Sequence, residues 1–503
     1  MPYAVKKCFR LLALSLAFSL HAETETSPKT VGLEKTLDPQ GDVIAFTYAN
    51  TQRERRENTF YFDLFPEAAS IPDGNRPEFR ENSDYIHFPV PLRLAELKNY
   101  PQLQTLDFPA LPLLKLDGTR FEHLKTMTLT GEISGLKELD LPQLEELNLI
   151  GTTPMFDDEQ IHCLTRTYNL SKPPEPSVPG KILRLSPRLP SLKRMHITWV
   201  SSADLDYSTL AGKPLEELSI RNYDGADLDF LAGSPLRSLT LNARRVKNLD
   251  LLGTLPLKEL TLDASQVKNY DFLKKLKLES LRLRVPRDSN FRLELLADMP
   301  LKTLHLMEYL GTDAEFAALN GKDLRELALI NVGMESAAFL EKLPLRNLAL
   351  MQCRFREPPF RSIGKISSLE MLYLGRIDDA KGKPFNFRTD LGDLSGLNLK
   401  ALSITDNQLE FCRSMDQLKS LKIILTQSGE RSTVNLAPLK GKSFRILLIS
   451  NFENWKDAIG QNQIQADYSG RAVFPFFFSE IPGNIPSFGF HTRLYDRNGK
   501  QLP

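Results

Sequence analysis

The chain has 503 residues, of which 41% are hydrophobic and 25% are charged, an ordinary globular composition with enough apolar residues for a large core. Its 64 Lys and Arg residues nearly balance its 63 Asp and Glu residues. A chain with balanced charge has no net electrostatic attraction for polyanions, so the composition argues against a strongly basic nucleic-acid-binding protein.

The first 22 residues have the layout of a secretory signal peptide. Three basic residues, Lys6, Lys7 and Arg10, precede the apolar run Leu11–Leu20, and a polar stretch begins after Ala22. This order of regions is typical of a signal peptide cleaved after Ala22, and the run is shorter than the roughly 20 residues that span a bilayer. A buried N-terminal helix is the alternative. We therefore predict export, to the periplasm or the medium, without a membrane span.

Residues 23–91 contain no repeat and are predicted to cap an array that begins near Leu92. Over residues 92–150 we predict irregular coils, because an L-x-x-L-x-L pattern recurs there at nearly constant spacing. Its copies are Leu103-Leu106-Phe108, Leu124-Met127-Leu129 and Leu144-Leu147-Leu149. Between them, Leu136-Leu139-Leu141 predicts a further strand on the return side of a coil.

Residues 151–190 interrupt the pattern and are predicted to be an insertion. Asp157–Leu170 has the character of a helix, and Lys172–Gly180 (KPPEPSVPG) is a proline-rich loop. Excursions of this kind carry recognition in some repeat proteins. A tolerated surface loop is the alternative.

The main array is predicted over residues 191–450. Successive copies of the motif begin at Leu215, Leu236, Leu257, Leu278, Leu301, Leu324, Leu345, Leu369 and Leu399. From Leu215 their spacings are 21, 21, 21, 23, 23, 21, 24 and 30 residues. The last two leucines of each motif alternate with polar residues, so they face one side of a short strand. One coil cannot cover them alone, so stacked coils with a parallel sheet and a shared core are required.

The return half of each coil also repeats, as in Asp227–Leu231, Asn248–Leu252 and Asn269–Leu273. Its Asp and Asn side chains are suited to accept hydrogen bonds from turn amides. These segments are too short for long helices, so we expect extended chain or single helical turns. Longer helical pieces are expected at Asp313–Leu319 and Glu335–Leu343.

The rhythm D-L-x-x-L-x-x-x-P-L-x-x-L-x-L resembles the short repeats of internalin-type leucine-rich-repeat proteins, over roughly Leu189 to Ser450. The resemblance implies an α/β repeat solenoid, a horseshoe or arc with a parallel sheet on the concave face and an extended or short-helical convex side. One feature departs from it. That family usually places Asn three residues after the last strand leucine, and only Asn407 matches. The other positions hold Tyr223, Arg244, Ser265, Pro286, Tyr309, Val332 and Cys353.

Two segments late in the chain lack the repeat. Gly375–Gly396 is predicted to be a smaller insertion, and residues 451–503 are predicted to cap the C-terminal end. The cap contains the aromatic stretch Val473–Phe478 (VFPFFF) together with Phe488 and Phe490, which are apolar enough to cover the last coil. An aromatic surface for a ligand is the alternative.

Positions between the strand leucines are predicted to form a partner-binding surface. Toward the C-terminal coils they become apolar, and a contiguous apolar patch often marks an interface. Basic residues at its edge would orient an acidic partner. The predicted contact residues are Arg282, Arg284, His305, Met307, Ile330, Met351, Met371 and Tyr373, with Ala328 and Ala349 between them. The alternative is that the insertion at 375–396 or a cap folds over this patch.

No catalytic or metal-binding motif is visible, so we predict a non-catalytic chain without a cofactor. After signal cleavage, Cys163, Cys353 and Cys412 remain, an odd and widely spaced set that favours buried free thiols over a disulfide framework. The predicted function is binding of a protein or another surface macromolecule. An architectural part of a cell envelope and a polysaccharide-acting enzyme are the alternatives.

Overall fold

The computed structural model describes residues 33–48, 94–107, most of 116–150, 184–198, most of 205–385, and shorter stretches between 394 and 469. The predicted signal peptide, most of the N-terminal cap region, the helix and loop of the 151–190 insertion, Cys163, Cys412 and the aromatic C-terminal stretch lie outside the described residues. The proposed domain boundaries therefore stay predictions.

The chain divides into two compact units, the first made mainly of residues up to Val246 and the second mainly of residues from Lys247. In the first unit the strands are β1 (Leu33–Leu37), β2 (Val43–Tyr48), β3 (Thr105–Asp107), β4 (Thr126–Thr130), β5 (Glu146–Ile150), β6 (Arg194–Thr198), β7 (Glu217–Tyr223) and β8 (Ser238–Ala243). Strands β1 and β2 form an antiparallel hairpin, and β2 pairs in parallel with β3. From β3 to β8 each strand pairs in parallel with the next.

The register is maintained across the predicted 151–190 insertion. Leu147 on β5 lies opposite Met195 on β6, so the strands on either side of residues 151–190 pair in parallel with their motif residues aligned. Asp140 connects residues from before and after the predicted insertion, because it forms ion pairs of 3.0 Å with Arg120 and 3.3 Å with Arg188. The strands on either side of the predicted insertion are therefore neighbours in one sheet.

In the second unit the strands are β9 (Glu259–Asp263), β10 (Ser280–Arg284), β11 (Thr303–Met307), β12 (Glu326–Ile330), β13 (Gly333–Met334), β14 (Asn347–Met351), β15 (Cys353–Phe355), β16 (Met371–Leu374), β17 (Ile377–Asp379), β18 (Ala401–Thr405), β19 (Lys422–Thr426), β20 (Ser443–Ile449) and β21 (Gln465–Ser469). The main parallel sheet follows the order β9-β10-β11-β12-β14-β16-β18-β19-β20-β21. Strands β13, β15 and β17 form a separate small parallel sheet.

The motif leucines align as the repeat requires. In the first unit Leu218 lies opposite Leu239, and in the second Leu260, Leu281 and Leu304 lie opposite one another in turn. All are at most 1% exposed. Each contributes about 1.5–3 kcal/mol only because a neighbouring coil covers it. The predicted repeat solenoid with a parallel sheet is confirmed within each unit.

Short helical turns form the return segments, as predicted. Two α-helical turns are given for the described part of the chain, α1 (Asp313–Phe316) and α2 (Phe360–Gly364). The other helical segments are 3-10 turns at Leu94–Asn99, Leu136–Glu138, Tyr207–Leu210, Asp229–Leu231, Asp250–Thr254, Asp271–Lys275, Leu293–Leu296, Ala317–Leu319, Ala338–Lys342 and Ala437–Leu439. The strand expected over Leu136–Leu141 is confirmed only in part, because Leu136–Glu138 form one of these 3-10 turns and only Asp140 forms a parallel bridge, with Arg120.

The predicted acceptors of turn amides are confirmed in three successive coils. Asp227 accepts from the Asp229 amide at 3.2 Å, Asn248 from Asp250 at 2.9 Å and Asn269 from Asp271 at 2.9 Å. Each bond bridges residues two apart and starts the 3-10 turn that follows. At the start of α1, a capping box between Thr312 and Glu315 provides the acceptors for the backbone amides.

Buried side chains occupy the positions where the related repeats carry Asn. Tyr309, Val332 and Cys353 are each at most 4% exposed. Tyr309 belongs to a series of aromatic rings in which the centroids of successive rings are 4.7–6.0 Å apart. The series consists of Tyr270, Phe291, Tyr309, Phe316 and Phe339. An aromatic stack therefore fills much of this side of the core between β9 and β14.

Candidate functional site

Parallel register places three ladders of side chains on the side of the sheet away from the motif leucines, which we call the strand face. The leading ladder consists of Glu259, Ser280, Thr303, Glu326, Asn347 and Met371. The central ladder consists of Thr261, Arg282, His305, Ala328, Ala349 and Tyr373. The trailing ladder consists of Asp263, Arg284, Met307, Ile330 and Met351. All eight predicted contact residues therefore lie on one face of one unit.

A chain of polar side chains crosses β10, β11 and β12. Arg282 Nε donates to His305 Nδ1 at 3.3 Å, and His305 Nε2 lies 2.6 Å from Glu326 Oε1. Because a guanidinium has only donors, Nδ1 acts as the acceptor and the imidazole proton sits on Nε2, which donates to Glu326. His305 is 2% exposed, so it positions its two neighbours and is not the open rim residue that the sequence predicted.

Opposing effects set the charge of Glu326. Burial alone would raise its pKa, but the hydrogen bond from His305, the Asn347 amide at 3.5 Å and the charge of Arg282 together hold the pKa below its ordinary value. Glu326 is therefore a carboxylate at neutral pH. The sequence predictions did not include Glu326, although it lies two residues before Ala328 and so on the same face of β12.

Arg284 lies between two carboxylates. Its Nη1 is 3.4 Å from Asp263 on β9, and its Nη2 is 2.7 Å from Glu308, which directly follows β11. These partners, Glu308 first, raise the pKa of Arg284. The Arg284 side chain is 42% exposed, so it remains accessible while its position is fixed.

The apolar part of the face forms a trough, which we call the alanine trough. Its floor is Ala328 and Ala349 on the central ladder, with His305 and Tyr373 at its two ends and Met307, Ile330 and Met351 along the trailing side. Three strand spacings separate His305 from Tyr373, about 14 Å. Met307, Ala328, Ala349 and Tyr373 form a buried cluster, against which the half-buried Ile330 and Met351 pack.

This burial differs from the open patch that the ladder pattern predicted. Met307 is 7% exposed and Tyr373 is 4% exposed, and burial raises the pKa of Tyr373 to about 12. The half-buried predicted residues are Arg282, Arg284, Ile330, Met351 and Met371. That these side chains contact a partner stays a prediction.

Within the described residues, no group of three or more His, Cys, Asp or Glu side chains is arranged to hold a metal ion. The search of the same residues for a helix long and apolar enough to cross a membrane also found none.

Neither protein-family models nor curated protein sequences give a match to this chain. The solved structures that match include leucine-rich-repeat proteins. An internalin from Listeria monocytogenes is 18% identical, covers 51% of this chain and 74% of its own, and has a TM-score of 0.32. The leucine-rich repeat domain of APL1B is 14% identical, covers 66% of this chain and 82% of its own, and has a TM-score of 0.24.

A third match is the ectodomain of the plant membrane receptor kinase GASSHO1/SCHENGEN3 from Arabidopsis thaliana, solved in complex with CASPARIAN STRIP INTEGRITY FACTOR 2. It is 13% identical, with a TM-score of 0.26. The match covers 75% of this chain and 60% of the receptor chain. Because all three TM-scores are low, the assignment of the fold depends on the strand register within the chain itself.

Proposed function

Because this chain is a leucine-rich-repeat protein by its fold, we propose that it is a non-catalytic scaffold that binds another macromolecule on the strand face of its second unit. The observation that carries the proposal is the register from β9 to β16, which aligns side chains of six coils in three ladders on one surface. A broad surface held by rigid strands suits recognition of a protein or a surface macromolecule.

The chemistry of the face favours a partner with apolar groups beside an acidic group. Ile330, Met351 and Met371 present half-buried apolar side chains, and Arg284 presents a fixed guanidinium beside them. A guanidinium held in place loses little entropy when it binds a carboxylate. Arg282 and His305 form the polar boundary of the same region.

The proposal includes export. The basic, apolar and polar order of residues 1–22 supports a cleaved signal, which would place the mature chain in the periplasm or outside the cell. The partner is then expected in the envelope or its surroundings, and the binding experiment uses the chain from Glu23.

Immobilised mature chain should capture a partner from envelope and surface extracts, and the binding constant of that partner should depend on the strand face. We expect the double variant Met351→Asp and Met371→Asp to weaken binding at least tenfold, because two carboxylates would be desolvated in an apolar contact. Both side chains are half-buried, so the fold should tolerate the change, which circular dichroism checks.

Leu310→Asp is the matched control. Leu310 also changes from apolar to acidic, but it is 72% exposed and lies beyond the end of β11. We expect this variant to bind as tightly as the native chain. Equal binding by the double variant and the native chain would contradict the use of this face.

A further inference from the structure

The hydrogen bonds around His305 require a neutral imidazole. The ring is 2% exposed, its Nδ1 accepts from Arg282 Nε on β10 at 3.3 Å, and its Nε2 lies 2.6 Å from Glu326 Oε1 on β12. An arginine has only donors, so the contact with Arg282 needs a lone pair on Nδ1. Histidine is the side chain whose charge ordinarily changes between about pH 5 and pH 8. The contact therefore exists in only one of the two protonation states of His305.

We propose that protonation of His305 is a switch that releases the Arg282 side chain from β11. The added proton occupies Nδ1, so this atom becomes a donor and faces a second donor, the Nε–H of Arg282. Both side chains are then cations at hydrogen-bonding distance, and their repulsion is strong where little water screens it. Arg282 is half-buried and has a long, flexible side chain, so it can turn toward solvent.

The charges on the neighbouring strands favour movement of Arg282 over loss of the proton. Glu326 already accepts from Nε2, and its lowered pKa keeps it a carboxylate that stabilises the protonated ring. Arg284 on β10 is balanced by Asp263 and Glu308. The other face positions of β11 and β12 are uncharged, namely Thr303, Met307, Ala328 and Ile330. Arg282 is therefore the group that the imidazolium displaces.

The first unit contains a comparison site. His196 occupies the position of β6 that corresponds to His305 on β11, and its Nε2 lies 3.8 Å from Glu217 Oε1 on the following strand. The residue opposite His196 on the preceding strand is Asn148, where His305 has an arginine. The His196 side chain is also 35% exposed. Protonation of His196 therefore does not set it against an opposite arginine.

Release of Arg282 would change the binding properties of the strand face. A guanidinium that leaves His305 offers its planar set of donors to a carboxylate on another molecule. An acidic partner should therefore bind more tightly below the transition than above it. This consequence rests on the proposed function, whereas the protonation of His305 and the release of Arg282 do not.

Nuclear magnetic resonance of the mature chain, labelled in its histidine rings and arginine Nε atoms, tests the switch without a partner. His305→Gln and Arg282→Lys assign the two signals. Between about pH 8 and pH 5 we expect His305 to take up a proton, and the Arg282 Nε–H signal should shift with the same midpoint. The Arg284 signal should not follow that midpoint, because its two partners are carboxylates. A His305 ring that stays neutral to pH 5, or an Arg282 signal that does not follow it, would overturn the proposal.

His305→Gln is also the control that does not titrate. Its amide can accept from Arg282 and donate to Glu326, as the neutral imidazole does, so the Arg282 signal should no longer follow the pH. A shift that persists in this variant would assign the transition to another group and refute the switch.

Arg282→Met tests the same coupling from the other side. Without the cation, His305 should take up its proton at a pH higher by at least about half a unit, because the imidazolium no longer meets a like charge. Asn148→Met is the matched change beside His196 and should leave the titration of His196 unchanged. An unchanged titration of His305 in Arg282→Met would contradict the switch. If either variant fails to fold, the joint titration of His305 and Arg282 in the native chain still decides.

Discussion

The turn that follows each strand is closed by a different residue in successive coils. At Cys353 the sulfur lies 3.2 Å from the carbonyl oxygen of Leu329 and 3.4 Å from that of Met351, so the single thiol proton can donate to either. Burial raises the pKa of this thiol to about 12, so it stays protonated and can donate. A buried free thiol was predicted from the cysteine spacing, and for Cys353 this is confirmed. The buried thiol thus has a backbone acceptor within reach in β12 and in β14.

The ionisation of Glu326, on the polar side of the strand face, makes the stability of the protein depend on pH. Its folded pKa lies below the ordinary value of 4.5, so its stabilisation is fully present above that value and is lost as the pH falls through the folded pKa. We expect Glu326→Gln to lower the stability at pH 7 and to flatten the loss of stability between about pH 5 and pH 3. Thermal melts across that range measure both effects, and parallel curves for the two proteins would show that Glu326 does not contribute.

Left-handed corners connect the main sheet to the small second sheet. The residues directly after β11, β12 and β14 are Glu308, Asn331 and Gln352, with φ of 62°, 52° and 52°. The Glu308 amide donates to the Ile330 carbonyl at 2.9 Å, and the Asn331 amide donates to Met351 at 2.8 Å. Backbone hydrogen bonds between neighbouring coils therefore satisfy the amides at these corners.

The corner after β14 offers a test at the scale of the element. Gln352 is exposed, and its positive φ costs about 1–2 kcal/mol, which glycine does not incur. Glycine loses more backbone entropy on folding, about 0.5–1 kcal/mol, so Gln352→Gly should raise stability by up to about 1 kcal/mol. Arg354→Gly, two residues later on β15, does not relieve the cost of a positive φ, so it should lower stability. The two melting temperatures should shift in opposite directions, and a fall in both would contradict the strained corner.

At the scale of the whole molecule, stability is a sum over neighbouring coils. Each strand leucine is covered mainly by the coils on either side, so a cavity in one coil should weaken its neighbours first. Leu281 on β10 is 0% exposed, and Leu281→Ala should cost about 2–5 kcal/mol. Leu310→Ala, at a side chain that is 72% exposed, should cost little.

Hydrogen exchange measures which strands lose stability in the Leu281→Ala variant. In the Leu281→Ala variant we expect the amides of β9, β10 and β11 to lose the most protection and those of β18 the least, because β18 lies four strands beyond β11 in the sheet order. Equal loss over the whole second unit would show that it unfolds as one cooperative block.

The ladders of the strand face were predictable, but the environment of their side chains was not. The motif spacing placed Arg282, His305 and Tyr373 on one face, and the register agrees. It did not show that His305 would be enclosed between Arg282 and Glu326, because contacts between rungs depend on side-chain conformations in separate coils. It also left open whether the apolar positions were covered, since cover depends on segments distant in the chain.

By itself the sequence determined the repeat, because aliphatic residues at a fixed spacing are buried only if coils stack with their strands in register. The same periodicity fixed which positions share a face and which side chains close the return turns, since both are local consequences of strand alternation and turn chemistry. Only the tertiary structure decided how the missing asparagines are replaced and how far each ladder position is buried. Those outcomes depend on backbone corners and on packing between residues more than 20 positions apart, which no local pattern encodes.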